Sequence, residues 1–358
     1  MSSPKYHQVK EFIRSNIQQG VWMDGGRIPS QAELEQQCHV SRITIKKAIT
    51  DLMGEGILTH IPGRKGIFVK NSHPYSSDQP KLIAVAIDDV RDTFGAEILR
   101  GIEDYLWEKK YHTLICNSDR DFKKIEQYFN SLVQQRVAGV IFAPVIDKEY
   151  IKNNGKILRL LDQHHLSFVL IDRYVPGYLT NYVVTSHRES SQQLIRQLLH
   201  NGHRRILLVK GLECTSMNER VKGYRDACHE VGVDVDERLI IQVDDNKLYP
   251  VADPTEVERM ITLIQQAGNF SVFHALNCRI LQAGIVVLRD LGIRIGEQVQ
   301  LTLHDDISKP YPPYTDNILH VVQPSYQIGW EAAKILFDDI QHPKQKTVRI
   351  VLNSLLTS

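Results

Sequence analysis

Apolar residues recur along the first seventy positions with the period of a helix. Tyr6, Val9, Ile13 and Ile17 predict an amphipathic helix over 6–19, with Gly20 ending it. Pro29-Ser30-Gln31-Ala32-Glu33 reads as the start of a second helix, Ser30 capping free amides while Glu33 reaches back. That helix carries Leu34 and Cys38 inward and stops at His39-Val40. Ser41 is expected to cap a third, in which Ile45, Ala48, Ile49 and Leu52 fall at i, i+3, i+4 and i+7. Arg42 lies in its first turn, and Ile43, Lys46, Lys47 and Thr50 project from the opposite face. After Gly54-Glu55-Gly56, residues 57–61 and 67–69 read as short strands around the turn Gly63-Arg64-Lys65-Gly66. Two short helices joined by a tight turn, the second basic outside, have the form of a helix-turn-helix in a major groove. A hairpin with two cations at its tip is a wing, suited to phosphates or a minor groove.

Residues 71–80 are polar, rich in Pro and Ser, and without periodicity, which predicts a linker. From Lys81 the pattern changes. Apolar runs at 82–87, 112–117, 139–145, 168–172 and 183–186 predict strands, alternating with helices at 94–109, 122–135 and 152–164. The cycle resumes with a helix to Asn201. Strands are expected near 206–209, 239–243, 272–276, 299–303 and 348–352, with helices at 219–231, 255–267, 280–291 and 326–340. Continuous apolar strands alternating with helices imply a doubly wound parallel α/β sheet. Two sets of this length imply two lobes with a ligand cleft at the strands' carboxyl ends. The expected organisation is a winged helix-turn-helix over 1–70, a linker over 71–80, and a two-lobed α/β domain over 81–358.

Charge sharpens this division. The net charge of +1 hides ten Lys/Arg against six Asp/Glu in residues 1–70, and 33 against 36 in the remainder. A small basic unit on a near-neutral body fits a DNA-contacting head on a domain with another task. The five cysteines show no paired spacing, which predicts reduced thiols and neither disulfides nor a metal site. No basic start leads into an apolar run and no stretch is long enough to span a bilayer, so a cytoplasmic protein without membrane contact is expected.

Strand ends collect Asp88-Asp89, Asn117-Ser118-Asp119, Asp172-Arg173, Asn277 and Asp305-Asp306. Carboxylates, amides and an arginine suit a polyhydroxyl ligand, because each hydroxyl wants both a donor and an acceptor. Singly, each reads more readily as a loop starter or helix cap. An α/β enzyme acting on a carbohydrate is the alternative, but no dinucleotide fingerprint, phosphate loop, nucleophile elbow or His-Glu-x-x-His is present. His164, His165 and His203 are isolated and read as helix-end or surface residues. No catalytic residue, metal or cofactor is therefore expected.

The segments Lys5-Tyr6-His7-Gln8-Val9, Arg27-Ile28-Pro29-Ser30, Val40 to Ala48 and Gly63 to Val69 resemble the GntR-type winged helix. The wing departs from it, with Arg64, Lys65 and Ile67 where small residues and Thr are usual. Their places at helix starts, on the outer face of the third helix and at the wing tip make Lys5, Ser30, Ser41, Arg42, Ile43, Thr44, Lys46, Lys47, Arg64 and Lys65 the expected DNA contacts. The body resembles the LacI-family effector domain through Thr93 to Glu103, Asn201 to Ile206, Glu219 to Tyr224 and Leu291 to Gly296. That resemblance implies effector contacts from Phe94, Asp172, Arg220, Asn277, Asp305 and Gln323, and the strand-end residues Asp89 and Arg173 are further candidates. Cys278, Ser186 and His304 depart from it. A GntR-type head on a LacI-type body is the arrangement of the arabinose repressor group, and Leu170 to Gly177 looks like that group's segment. Together the resemblances imply a homodimeric repressor of a sugar-utilisation operon, bound to double-stranded operator DNA and controlled by a sugar such as L-arabinose or L-fucose.

Overall fold

The computed structural model describes residues 5–18, 21–23, 25–61, 64–70, 81–135, 137–248, 251–307, 318–342 and 346–357. The chain forms two compact units, Met1–Gln79 and Pro80–Ser358. The segment read as a linker, the helix-ending Gly20 and the wing's Gly63 lie outside the described residues.

The first unit is α1 (Lys5–Gln18), α2 (Gln31–Cys38), α3 (Arg42–Gly54) and a hairpin of β1 (Leu58–Thr59) with β2 (Phe68–Val69). The four positions predicted to face inward on α3 are its buried ones, and they pack with Val9, Ile13 and Leu34. Glu55, just past α3, accepts from Lys10 at 2.5 Å and Arg14 at 2.6 Å, tying α1 to the end of α3. The capping box at α2 is present: Ser30 Oγ accepts from Glu33 N at 3.3 Å, and Glu33 Oε2 accepts from Ser30 N at 2.6 Å. Ser41 differs from its expected role. It occupies the N-cap position of α3, but its hydroxyl lies 3.0 Å from that of Thr44, which competes for it, and caps no backbone amide.

The second unit has two six-stranded sheets. In the first lobe the order is β13-β7-β6-β5-β3-β4, all parallel, built from β3 (Lys81–Ile87), β4 (Tyr111–Asn117), β5 (Gly139–Phe142), β6 (Ser167–Ile171), β7 (Asn181–Thr185) and β13 (Arg349–Leu352). The helices α4 (Thr93–Glu108), α5 (Phe122–Gln135), α6 (Tyr150–Gln163) and α11 (Ser325–Gln341) cover it. In the second lobe the order is β14-β12-β11-β10-β8-β9, from β8 (Ile206–Lys210), β9 (Ile240–Gln242), β10 (Val272–Ala275), β11 (Gln300–Leu303), β12 (Leu319–Val322) and an antiparallel β14 (Leu355–Thr357). Its helices are α7 (His187–His200), α8 (Thr215–Val231), α9 (Pro254–Ala267) and α10 (Cys278–Asp290).

Three features depart from the pattern of the sequence. That pattern does not predict β12 and β14, and the chain crosses between lobes three times: after β7, before α11, and between β13 and β14. The crossings are hydrogen-bonded together. Thr185 Oγ1 donates to Gln323 Oε1 at 2.9 Å, Ser186 N to Leu352 O at 2.8 Å, and Ser354 N to Ser186 Oγ at 3.4 Å. α11 returns to pack on α4, where a Cβ on Gly101 or Gly329 would lie 2.0 Å from a carbonyl of the other helix. β5 also stops earlier than its apolar run. Pro144 has no amide to donate, and the Val145 amide goes to the Asn154 side chain at 2.8 Å.

Candidate functional site

Strand ends of both lobes converge on one cleft holding about 670 Å³ of free space, part of it open to solvent. All eight residues expected to meet an effector line it: Asp89, Phe94, Asp172 and Arg173 from the first lobe, Arg220, Asn277 and Asp305 from the second, and Gln323 at a crossing. Helix starts explain part of the convergence. Asp92 precedes α4 and accepts from Phe94 N at 3.3 Å, while Asn277 caps α10, accepting from Ile280 N at 3.0 Å. α8 begins four residues before its predicted start, which puts Ser216, Met217 and Arg220 in its first two turns against the cleft.

The cleft's charges are paired beneath its surface. Asp88 accepts from Arg173 Nη2 at 2.5 Å and Arg120 Nε at 3.1 Å, and Arg173 Nη1 lies 2.7 Å from Asp172 Oδ2. Arg120 then reaches across the cleft to Asp245 Oδ2 at 2.7 Å, the oxygen that also accepts from Asn277 Nδ2 at 2.8 Å. Burial works to raise the Asp88 and Asp245 carboxyls, but the facing guanidiniums hold both below the usual carboxylate range. Asp305 goes the other way. Burial, reinforced by the carboxylate of Asp92, pushes it up to about 6 although Gln323 Nε2 donates to it at 3.2 Å. Arg220 is buried, its Nη1 donating to Leu276 O and its Nε and Nη2 lying 3.4 Å from His187 Nδ1.

Strand ends alone do not reveal Asp92, Arg120, Asp245 or Arg279, which also shape the site. Arg120 comes after Asp119, and both have positive φ (57° and 51°), so a strained turn aims the guanidinium into the cleft. Asp172 is held at φ 65°. The sequence also gives no sign of a buried trio, His187, His274 and His304; His187 contacts Arg220, and its ring centre is 6.0 Å from that of His304. Other strand-end residues are local caps: Asn117 accepts from Val90 N at 2.9 Å and donates to Asp119 at 2.6 Å. His203 bonds Ser271 at 2.9 Å, and His165 sits at a helix end. Among the described residues, no group of three or more His, Cys, Asp or Glu could hold a metal, and no helix is long and apolar enough to cross a membrane.

In the first unit, Lys5, Arg42, Ile43, Lys46, Lys47, Arg64 and Lys65 are exposed. Arg42 comes no nearer than 3.9 Å to Glu35, and Lys47 Nζ lies 4.5 Å over the Tyr6 ring. Ser30, Ser41 and Thr44 use their hydroxyls within the head.

Residues 5–69 match the pattern of bacterial regulatory proteins of the gntR family, and residues 79–351 that of periplasmic binding proteins and the sugar-binding domain of the LacI family. The chain is 26% identical over 341 residues to the arabinose metabolism transcriptional repressor of Geobacillus stearothermophilus, covering 94% of this chain and 92% of that protein. It is 25% identical to the repressor of the same description from Halalkalibacterium halodurans, covering 95% and 90%. In fold it is similar to a putative ribose operon repressor from Burkholderia thailandensis, with a TM-score of 0.67 at 21% identity over 78% of this chain and 99% of that one. With the second pattern spanning most of its length, the chain belongs to the family of periplasmic binding proteins and LacI-type sugar-binding domains, and carries a gntR-type regulatory head.

Proposed function

We propose that this chain, a sugar-responsive transcriptional repressor of the LacI and GntR type, binds a pentose or deoxyhexose such as L-arabinose or L-fucose in its cleft and releases its operator in response. The observation that carries the reading is the convergence of eight polar and aromatic side chains from both lobes on one cleft. Asp172, Asp305, Asn277 and Gln323 supply acceptors and donors for hydroxyls, and Arg220 donates from below. Phe94 offers an apolar face to a sugar ring, and Asp89 and Arg173 complete the first lobe's share. Asp88 Oδ1 is buried and takes no hydrogen bond from the described residues, which suits it to a ligand hydroxyl. The relatives named for arabinose metabolism favour a five-carbon sugar.

The head reads a near-palindromic duplex as part of a cytoplasmic homodimer. Arg42, Ile43, Thr44 and Lys46 meet base edges and nearby phosphates, while Lys5, Lys47, Arg64 and Lys65, with Ser30 and Ser41, supply contacts that are largely independent of sequence. Sugar binding favours the closed body and lowers operator affinity as far as the ligand distinguishes the two states. Thermal unfolding against a panel of pentoses and hexoses tests this. One sugar should raise the melting temperature by mass action and release selected duplex DNA. A panel that leaves the melt unmoved would overturn the effector assignment, and conversion of a sugar during incubation would make the cleft an enzyme's.

A further inference from the structure

The recognition helix carries one side chain that the folding of the head does not explain. Ile43, the second residue of α3, is 82% exposed, while Ile45, Ile49 and Leu52 on the same helix are at most 3% exposed. A β-branched residue at an exposed helical position slightly disfavours the helix and leaves apolar surface in water. Its companions on the outward stripe are polar: Lys46 and Lys47 at i+3 and i+4, and Thr50 at i+7. Two of these are turned elsewhere. Lys47 is drawn over the Tyr6 ring at 4.5 Å, and the Thr50 hydroxyl donates to Lys46 O at 2.9 Å. On the other side Arg42, with a side chain 78% exposed, approaches Glu35 only to 3.9 Å. Ile43 is therefore a lone apolar point between cations, at the end of the helix that meets base edges when a helix-turn-helix lies in the major groove.

An aliphatic group neither donates nor accepts. Of the groups that base pairs display in the major groove, only the 5-methyl of thymine rewards such a neighbour. We propose that Ile43 is a specificity-determining residue that packs on a thymine methyl in each half-site, favouring an A·T pair beneath the start of α3. This rests on the reading of the head as a reader of duplex DNA. The stiff χ1 of a helical isoleucine keeps the entropy cost of that contact small.

The test uses the full chain to enrich a duplex from a randomised pool. The enriched duplex is then remade with each thymine in turn replaced by deoxyuridine, which removes only the methyl. At one symmetry-related position the wild type and Ile43→Val should bind about four-fold more weakly to the deoxyuridine duplex, the worth of one buried methyl-sized group. Ile43→Ala should bind both duplexes alike, with a melting temperature that does not fall, because the side chain is at the surface and alanine is the better helix former. A wild type indifferent to every deoxyuridine, or an Ile43→Ala variant as sensitive as the wild type, would overturn the assignment while leaving the DNA-reading function standing. If no duplex is enriched, that function falls and this inference with it.

Discussion

The head and the cleft use the same residue types in opposite ways. In the head, Arg42, Lys46, Arg64 and Lys65 are exposed, and Glu35 comes no closer to Arg42 than 3.9 Å. In the cleft, Asp88, Arg120, Arg173 and Asp245 are joined at 2.5 to 3.1 Å with little solvent. Exposed cations can displace the counterions condensed on a phosphate backbone, so binding through them is strong at low salt and tolerant of orientation. Buried pairs have already met their desolvation cost, so their donors and acceptors are fixed in direction and losing one partner strands the other. Burial and prior pairing, more than residue type, separate a reader of a polyanion from a receptor for a neutral ligand.

Acid should separate the two regions most. His187, His274 and His304 are buried, and burial together with the Arg220 guanidinium lowers all three below the ordinary histidine range, His274 to about 3. Above about pH 6.5 the rings are neutral in both the folded and the unfolded chain. Below it the unfolded chain takes up protons that the folded lobe refuses, so stability falls with pH. Each ring kept neutral to pH 5 removes up to about 2 kcal/mol. Asp305 acts in the opposite sense, since a carboxyl raised to about 6 takes its proton earlier in the fold and offsets part of the loss. In the head, the lowered groups Glu33 and Glu55 lose their contribution only below the usual carboxylate range. Urea unfolding of the full chain at pH 7 and pH 5 should show the body weakened and the head spared, with His304→Gln flattening the dependence. Equal stability of the body at both pH values would mean that the trio is not held neutral.

A smaller but more pointed separation comes from Arg220. Its guanidinium bonds a carbonyl and a histidine within the second lobe and faces Asp172 and Asp305. Arg220→Ala removes donors that a hydroxyl can replace only with water, worth about 3 kcal/mol for a charged hydrogen bond, or more than about a hundred-fold in sugar affinity. Titration calorimetry should register that loss, while a shift assay without sugar finds operator binding unchanged. A variant that still binds sugar normally would place the effector elsewhere.

How much of this is legible in the sequence depends on how local each feature is. The stripe of Ile45, Ala48, Ile49 and Leu52 announces α3 because a single helical period encodes it. The cleft residues at strand ends are legible because apolar runs mark where strands stop, and in doubly wound sheets ligands gather there. Arg120 is not, since its aim depends on two left-handed residues in a loop and on Asp245 in the other lobe. β12 and β14 are only four and three residues long, and His320 interrupts the apolar run of the first. The return of α11 and β13 to the first lobe is a matter of topology, to which periodicity is blind. The histidine trio sits inside a strand (His274), just past one (His304) and at a helix start (His187), where a solvated histidine leaves the same trace.

The finest test of the contrast is Arg42, because what its loss costs depends on whether the head holds its charges as the cleft does. An exposed pair at 3.9 Å contributes little to the fold, so Arg42→Ala should leave the melting temperature unchanged. Its whole effect then falls on the interface: at least about ten-fold weaker operator binding at low salt, with the slope of log affinity against log salt reduced by about one for each head, about two for the homodimer. If the lost contact is to phosphate, the penalty is uniform across duplexes. If it is a bidentate contact to guanine, discrimination at that base pair is lost as well, and Arg42→Lys restores the slope without the discrimination. Sugar affinity stays the same in either case. Unchanged operator binding by Arg42→Ala would remove α3 from the groove, and a shifted sugar affinity would mean that head and cleft are not the separate electrostatic systems described.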